Sequence, residues 1–229
     1  MQGDLLTYLK NRYEDSQNKI TGPGPVITLS REYGCPAKLV AKKLSEILSE
    51  KKTSAGAKLP WKWYSKEILE ESAKILQMDP SKIKYVFDYE KKGSLEDIFN
   101  SFSNYYKSDR LIRSTIGKVI REIAMQGHSI IVGRGGIAIA RDIPNSLHIN
   151  LEAPLEWRTL RISEHYCLTL EKARETAIDT DKKRKEFRDY FEGKNTDYTS
   201  FDVTFNCMTL SPDEIVATIV KIVELRGFV

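Results

Sequence analysis

The sequence predicts an α/β fold in which about five parallel strands form a doubly wound sheet with helices on both faces. Two observations support this prediction. Short apolar runs, typical of buried parallel strands, alternate along the chain with longer amphipathic stretches. The first apolar run also ends in a glycine-containing loop that leads directly into an amphipathic stretch. Such alternation is typical of strands joined by helical crossovers, which forces the strands to be parallel.

The predicted elements follow one another along most of the chain. Strands are expected at Val26–Leu29, Trp63-Tyr64, Ser129–Val132, Leu147–Leu151 and Asp202–Asn206. Helices are expected from the loop to about Glu50 and at Lys66–Gln77, Ser108–Gln126, Pro154–His165, Leu170–Phe191 and Pro212–Leu225. Further helix starts are expected at Asp79, followed by Pro80, and at Ser94. A short leader helix at Asp4–Tyr13 and a Gly/Pro linker precede the first strand.

Composition excludes several classes of protein. The 229 residues carry a formal net charge of only +4, which is too small for a nucleic-acid-binding surface of the usual kind. The three cysteines show neither paired nor metal-binding spacing, so we expect no metal ligand set and a reducing environment. No apolar run is long enough to span a bilayer. We therefore expect a cytoplasmic protein with small-molecule partners, neither nucleic acid nor membrane, and of unknown oligomeric state.

The loop after the first strand occupies the place where P-loop enzymes hold phosphate. Backbone N–H groups and the dipole of the following helix favour an anion there. A standard P-loop ends in Gly-Lys-Ser/Thr, whereas this one continues as Pro36-Ala37-Lys38-Leu39. The alternative is an ordinary strand–helix turn with exposed basic residues. The candidate phosphate-binding residues are Ser30, Arg31, Gly34 and Lys38.

Arg134 lies in a glycine-rich turn at the carboxyl end of the predicted third strand. Open parallel sheets bind ligands at that edge, and an arginine there can pair with a phosphate through two hydrogen bonds. The alternative is a plain turn in which Arg134 pairs with a surface carboxylate.

Two further arginines begin the helix after the fourth strand. Arg158 and Arg161 are three residues apart and follow a strand end, so both could point into the same crevice. Surface pairs with Glu156 and Glu164 are the alternative.

The long charged helix carries a carboxylate and two guanidinium groups at helical spacing. Asp181, Arg184 and Arg188 fall at positions i, i+3 and i+7. A lid that closes over a transferring phosphoryl group needs such arginines. A solvated helix with i,i+3 ion pairs is the alternative.

The order of these pieces resembles the nucleoside monophosphate kinases, specifically the cytidylate kinase-like family. The resemblance runs from about residue 25 to the C-terminus. It is carried by the stretches Ile27–Gly34, Trp63–Leu69, Ile131–Arg134, Ala153–Arg158 and Asp181–Arg184.

The resemblance implies a single P-loop domain over residues 25–229. It implies an acceptor-binding insertion at about 60–107 and a lid at about 165–195, preceded by a leader over residues 1–24. The reaction it implies is transfer of the γ-phosphoryl group of ATP, with Mg²⁺, to CMP or dCMP. By this resemblance Arg134 matches the acceptor contact, Asp181 and Arg184 match the lid motif, and Arg158 matches the arginine-bearing helix after the fourth strand. Together with Arg161 and Arg188, which come from their helical spacing, the candidate catalytic residues are Arg158, Arg184 and Arg188, and the candidate acceptor-binding residues are Arg134, Asp181 and Arg161.

Departures from the family pattern keep other functions open. Pro36 and Ala37 replace loop glycines, Lys38 or Leu39 stands in place of the metal-binding hydroxyl, and Gly135 stands where cytidylate kinases have aspartate. One alternative is a degenerate P-loop domain that binds a nucleotide or phosphate in a regulatory role. Another is a kinase of a different small acceptor.

Overall fold

The fold is a parallel five-stranded sheet with helices on both faces, as the sequence predicts. The computed structural model describes residues 22–53, 56–81, 109–192 and 198–229. The strands in chain order are β1 Val26–Arg31, β2 Lys62–Tyr64, β3 Ser129–Val132, β4 Ser146–Glu152 and β5 Val203–Asn206. Within the described residues they pair in the order β2-β3-β1-β4-β5, all parallel. β1 therefore lies at the centre, between β3 and β4.

Helices cover both faces of this sheet. Their bounds are α1 Ala37–Glu50, α2 Glu67–Leu76, α3 Asp109–Gln126, α4 Gly136–Ala140, α5 Leu155–Tyr166, α6 Leu170–Glu192 and α7 Pro212–Leu225. A short 3-10 turn at Tyr198–Ser200 precedes β5. No helix in these described ranges combines the length and apolarity needed to cross a membrane.

Successive residues of β1 point into two separate cores. Ile27 and Leu29 pack with α1 and α7, in a cluster that includes Leu44 and Ile219. Val26 packs on the opposite face, in a cluster of residues from α2, α3 and α6. Both faces of the strand are buried, which explains its unbroken apolar sequence.

The structure departs from the sequence prediction in a few places. The five-residue helix α4 was not expected, because its residues follow a glycine run and are too few to show a helical period. β2 begins one residue before the predicted Trp63-Tyr64 strand and pairs with β3 at the edge of the sheet. The expected cap at Asp79 is formed, since its carboxylate accepts the backbone N–H of Ser81 at 2.8 Å. The leader helix and the helix start at Ser94 lie outside the described residues.

Candidate phosphate-binding site

The loop between β1 and α1 is a compact turn in which several backbone N–H groups donate within the protein. The N–H of Cys35 donates to the carbonyl of Glu32 at 3.3 Å, and the N–H of Ala37 donates to that of Cys35 at 2.9 Å. The N–H of Tyr33 donates to Oδ1 of Asp181 on α6 at 2.7 Å. The turn differs in this respect from a P-loop, whose N–H groups are kept for phosphate.

Gly34 lets this turn lie directly against helix α5. Its φ of +96° belongs to the left-handed region, and an added Cβ would lie 3.1 Å from Cβ of Arg158. The absence of a side chain at Gly34 therefore allows the loop to contact α5 beside Arg158.

Arg31, the last residue of β1, extends across the end of β3. Its Nη1 lies so close to Gly133 that an added Cβ there would be only 1.5 Å away. Burial lowers the pKa of Arg31 well below its usual value, and repulsion from Arg184 and Arg134 lowers it further. A desolvated guanidinium beside two others favours binding of an anion.

Arg134 lies at the same edge of the sheet, in the turn that follows β3. Its φ is +59°, a left-handed conformation that costs a non-glycine residue on the order of 1 kcal/mol or more. Glycines with positive φ flank it on both sides. The turn thus holds Arg134, at some cost in backbone energy, next to the half-buried Arg31.

Arg158 enters the site from the first turn of α5 and is only 5% exposed. Its Nε donates to the carbonyl of Ala153 at 2.9 Å and lies 3.2 Å from the Glu32 carboxylate. Its Nη1 donates to the carbonyl of Tyr33 at 3.1 Å and to Oδ2 of Asp181 at 2.6 Å. Arg158 therefore links the loop, the end of β4 and helix α6.

Helix α6 completes the group with Asp181 and Arg184. Nη1 of Arg184 donates to the carbonyl of Arg31 at 3.1 Å and lies 3.7 Å from Oδ1 of Asp181. Its guanidinium also lies 5.3 Å from the centre of the Tyr33 ring. Burial lowers the pKa of Arg184, which the Asp181 charge opposes. The structure thus brings together Arg31, Arg134, Arg158, Arg184 and Asp181.

The remaining candidate residues lie around this group. Ser30 is half-buried on β1, and Lys38 is exposed in the first turn of α1. Arg161 is exposed and lies over the Trp157 ring at 4.7 Å, so Arg158 and Arg161 do not share one buried face. Arg188 lies 5.8 Å from the centre of the Phe201 ring.

Sequence reasoning missed Glu32 as a part of the site. Its carboxylate accepts the N–H of Ala153 at 3.0 Å and contacts Arg158. Burial raises the pKa of Glu32, which the Ala153 hydrogen bond and the Arg158 charge oppose. Its place directly after an arginine at a strand end is the signal that could have identified it.

Cys35 and Cys207 meet beside the loop, although their spacing in sequence indicates no pair. A hydrogen bond to the Cys207 sulfur, together with burial, raises the pKa of the Cys35 thiol. The position of Cys35 next to a helix N-terminus therefore does not activate it.

The residues around the loop do not fit a magnesium site of the P-loop type. The hydroxyl that would hold Mg²⁺ in a P-loop is replaced by Lys38 or Leu39. Among the described residues, no group of three His, Cys, Asp or Glu side chains could hold a metal ion. The carboxylates nearest the loop, Glu32 and Asp181, are both engaged by Arg158.

Comparison with known proteins agrees with the fold and identifies the family. The chain is similar to an uncharacterized protein from Eubacterium ventriosum ATCC 27560, with a TM-score of 0.59 and 24% identity over 87% of this chain and 97% of that one. It is also similar to a shikimate kinase from Acinetobacter baumannii, solved with shikimate, with a TM-score of 0.50 and 14% identity over 91% of this chain and 96% of that one. None of the curated proteins compared with the chain matches it significantly. The model of the cytidylate kinase-like family matches residues 26–209, most of the chain, and the protein therefore belongs to that family.

Proposed function

We propose that this protein transfers the γ-phosphoryl group of ATP to a nucleoside monophosphate, with CMP or dCMP as the expected acceptor. Membership of a kinase-like family supports phosphoryl transfer to a nucleotide or another small molecule. The observation that carries the proposal is the position of the half-buried Arg31, whose guanidinium lies over Gly133 next to Arg134 and whose carbonyl accepts from Nη1 of Arg184. Cations gathered at the carboxyl ends of adjacent parallel strands suit a ligand with several phosphate charges.

In the proposed reaction, an oxygen of the acceptor phosphate attacks the γ-phosphorus of ATP, and the bond to the ADP oxygen breaks. Such transfer needs positioning and charge neutralisation more than covalent help from the protein. Arg158, Arg184 and Arg188 would neutralise the transferring oxygens, and Arg31 with Lys38 would hold the triphosphate. Arg134, Asp181 and Arg161 would hold the acceptor, while Ser30 and Gly34 shape the loop.

The test is a measurement of ADP formation from ATP and Mg²⁺ with CMP, dCMP, UMP, AMP, GMP and, as a non-nucleotide acceptor, shikimate. We expect turnover above the buffer rate with CMP or dCMP.

Arg184→Gln should lower kcat/KM at least about a hundredfold, because it removes a preorganised cation from the transition state. The matched control is Arg174→Gln, on the same helix, whose partner is the exposed Glu156. Equal rates for Arg184→Gln and the unaltered protein would contradict the assigned role.

A second candidate function is nucleotide or phosphate binding without efficient transfer. The specific observation in its favour is the loop, where Tyr33, Cys35 and Ala37 N–H groups donate within the protein and the usual lysine and hydroxyl are replaced. It predicts that ATP raises the melting temperature, by ligand linkage, while no acceptor in the panel yields ADP. Turnover with any one of these acceptors would exclude this second function. Turnover with shikimate and with none of the nucleotides would indicate a kinase of a different small acceptor.

A further inference from the structure

Asp181 is the residue on which the loop and two helices converge. One carboxylate oxygen accepts the backbone N–H of Tyr33 at 2.7 Å, and the other accepts Nη1 of Arg158 at 2.6 Å. Arg184, one helical turn further along α6, contributes a second guanidinium at 3.7 Å. The carbonyl of Tyr33 accepts from the same Nη1 of Arg158, so the Tyr33 residue is held on both sides.

These donors are the ones that a phosphate group uses in proteins. A backbone N–H at the end of a strand and a guanidinium together bind two oxygens of one anion. In this structure the two oxygens belong to a side chain of the protein itself. Asp181 thus has the position and the hydrogen-bond partners of a ligand oxyanion.

We infer that Asp181 is a built-in competitor for this oxyanion position, and that binding of a phosphate-containing ligand displaces its carboxylate from Tyr33 and Arg158. The inference rests on the proposed function, because it concerns how the same site receives its phosphates. It adds that the Asp181 carboxylate occupies the Tyr33 and Arg158 donors until such a ligand displaces it.

Asp181 can leave without unfolding the helix that carries it. Its side chain is 23% exposed, whereas α6 is anchored elsewhere by buried Ala173, Ala177 and Phe187. A diphosphate or triphosphate group carries more negative charge than a single carboxylate. Desolvation and repulsion from Arg134 and Arg184 disfavour the positive charge of Arg31. The additional negative charge of a diphosphate or triphosphate would neutralise these cations, which favours the ligand over the Asp181 carboxylate. Displacement would also free Asp181 for its proposed contact with the acceptor.

The experiment is calorimetric titration of the full chain with inorganic pyrophosphate, a probe that requires no turnover. In Asp181→Asn the competing charge is gone and the side chain keeps its size. We expect this variant to bind pyrophosphate at least about tenfold more tightly than the unaltered protein. The matched control is Glu156→Gln, which breaks the exposed Glu156–Arg174 pair between the same two helices and should leave the affinity unchanged.

Weaker or unchanged pyrophosphate binding by Asp181→Asn would overturn the inference, since a positioning residue would lose affinity and a bystander would not change it. If Asp181→Asn does not fold, a crystal structure of the unaltered protein with pyrophosphate decides. A phosphate oxygen on the Tyr33 N–H supports the inference, and Asp181 still bound there overturns it. A failure of the proposed function can be distinguished from a failure of this inference. If the protein is not a kinase, no acceptor will yield ADP, while the pyrophosphate titrations will still give the expected difference between Asp181→Asn and the unaltered protein.

Discussion

Gly133 is the position where one added methyl group would reach the centre of the site. The Arg31 guanidinium lies over its Cα, and the φ of Gly133 is +69°. A side chain at this position would therefore push Arg31 away from Arg134 and Arg184. The arginine cluster depends on a residue that has no side chain.

We predict that Gly133→Ala lowers the affinity for pyrophosphate at least about tenfold and costs roughly 1–2 kcal/mol of unfolding free energy. The affinity falls because Arg31 is displaced, and the stability falls because alanine is strained at positive φ. Gly227→Ala is the control, since Gly227 has a φ of +67° and nothing within 4 Å of an added Cβ. It should show a stability loss of the same kind with unchanged affinity. Equal pyrophosphate affinity in the two variants would contradict the proposed role of Gly133.

At the scale of elements, His148 on β4 links neighbouring strands by polar contacts inside the sheet. Its Nδ1 lies 2.8 Å from Oγ1 of Thr28 on β1, and its Nε2 lies 3.1 Å from Oγ of Ser146. Its backbone N–H donates to the carboxylate of Asp202 just before β5. Burial lowers the pKa of His148 to about 4, which the charge of Asp202 opposes and those of Arg226 and Arg141 reinforce.

We predict that His148 makes the protein less stable as the pH falls from about 6.5 towards 4. The unfolded chain binds a proton at its ordinary pKa of about 6.5, whereas the folded protein resists protonation until about pH 4, so acid favours unfolding in this interval. The loss should approach about 3 kcal/mol. Urea unfolding at several pH values measures it, and His148→Gln should flatten the profile. An identical slope in both proteins would contradict the prediction.

Most elements follow from local pattern, because β1, β3 and β4 are largely buried on both faces and helices such as α1, α3 and α7 have an amphipathic period. The edge strands β2 and β5 are partly exposed. β3 and the last helix begin and end at the predicted residues. β1 extends two residues further, to Arg31, because Ser30 and Arg31 pair with Asn150 and Leu151 of β4. The short helix α4 is fixed by packing of Gly136 against Ile131 and Thr28, and a five-residue pattern does not reveal such packing.

At the scale of the whole molecule, the sequence indicates which residues could bind phosphate. It does not predict which of their side chains contact one another. Arg31, Arg134 and Arg158 were recognisable because each follows a predicted strand, and parallel strands present their carboxyl ends at one edge. The contacts between Asp181 and Tyr33 and between Cys35 and Cys207 join distant parts of the chain. These contacts form because of the order of the strands in the sheet and the packing of α6 against the loop. The local hydrophobic periodicity of the sequence predicts neither.

The central claim is that the guanidinium groups around Arg31 hold the phosphates of a small-molecule substrate, and titration of Arg31→Gln with ATP tests it most directly. We expect the affinity to fall at least about a hundredfold, while the melting temperature stays the same or rises because a partly desolvated charge that neighbouring arginines repel is removed. Arg174→Gln, which removes an exposed cation of α6, should bind ATP as the unaltered protein does. If Arg31→Gln binds ATP as tightly as the unaltered protein, the claim is wrong.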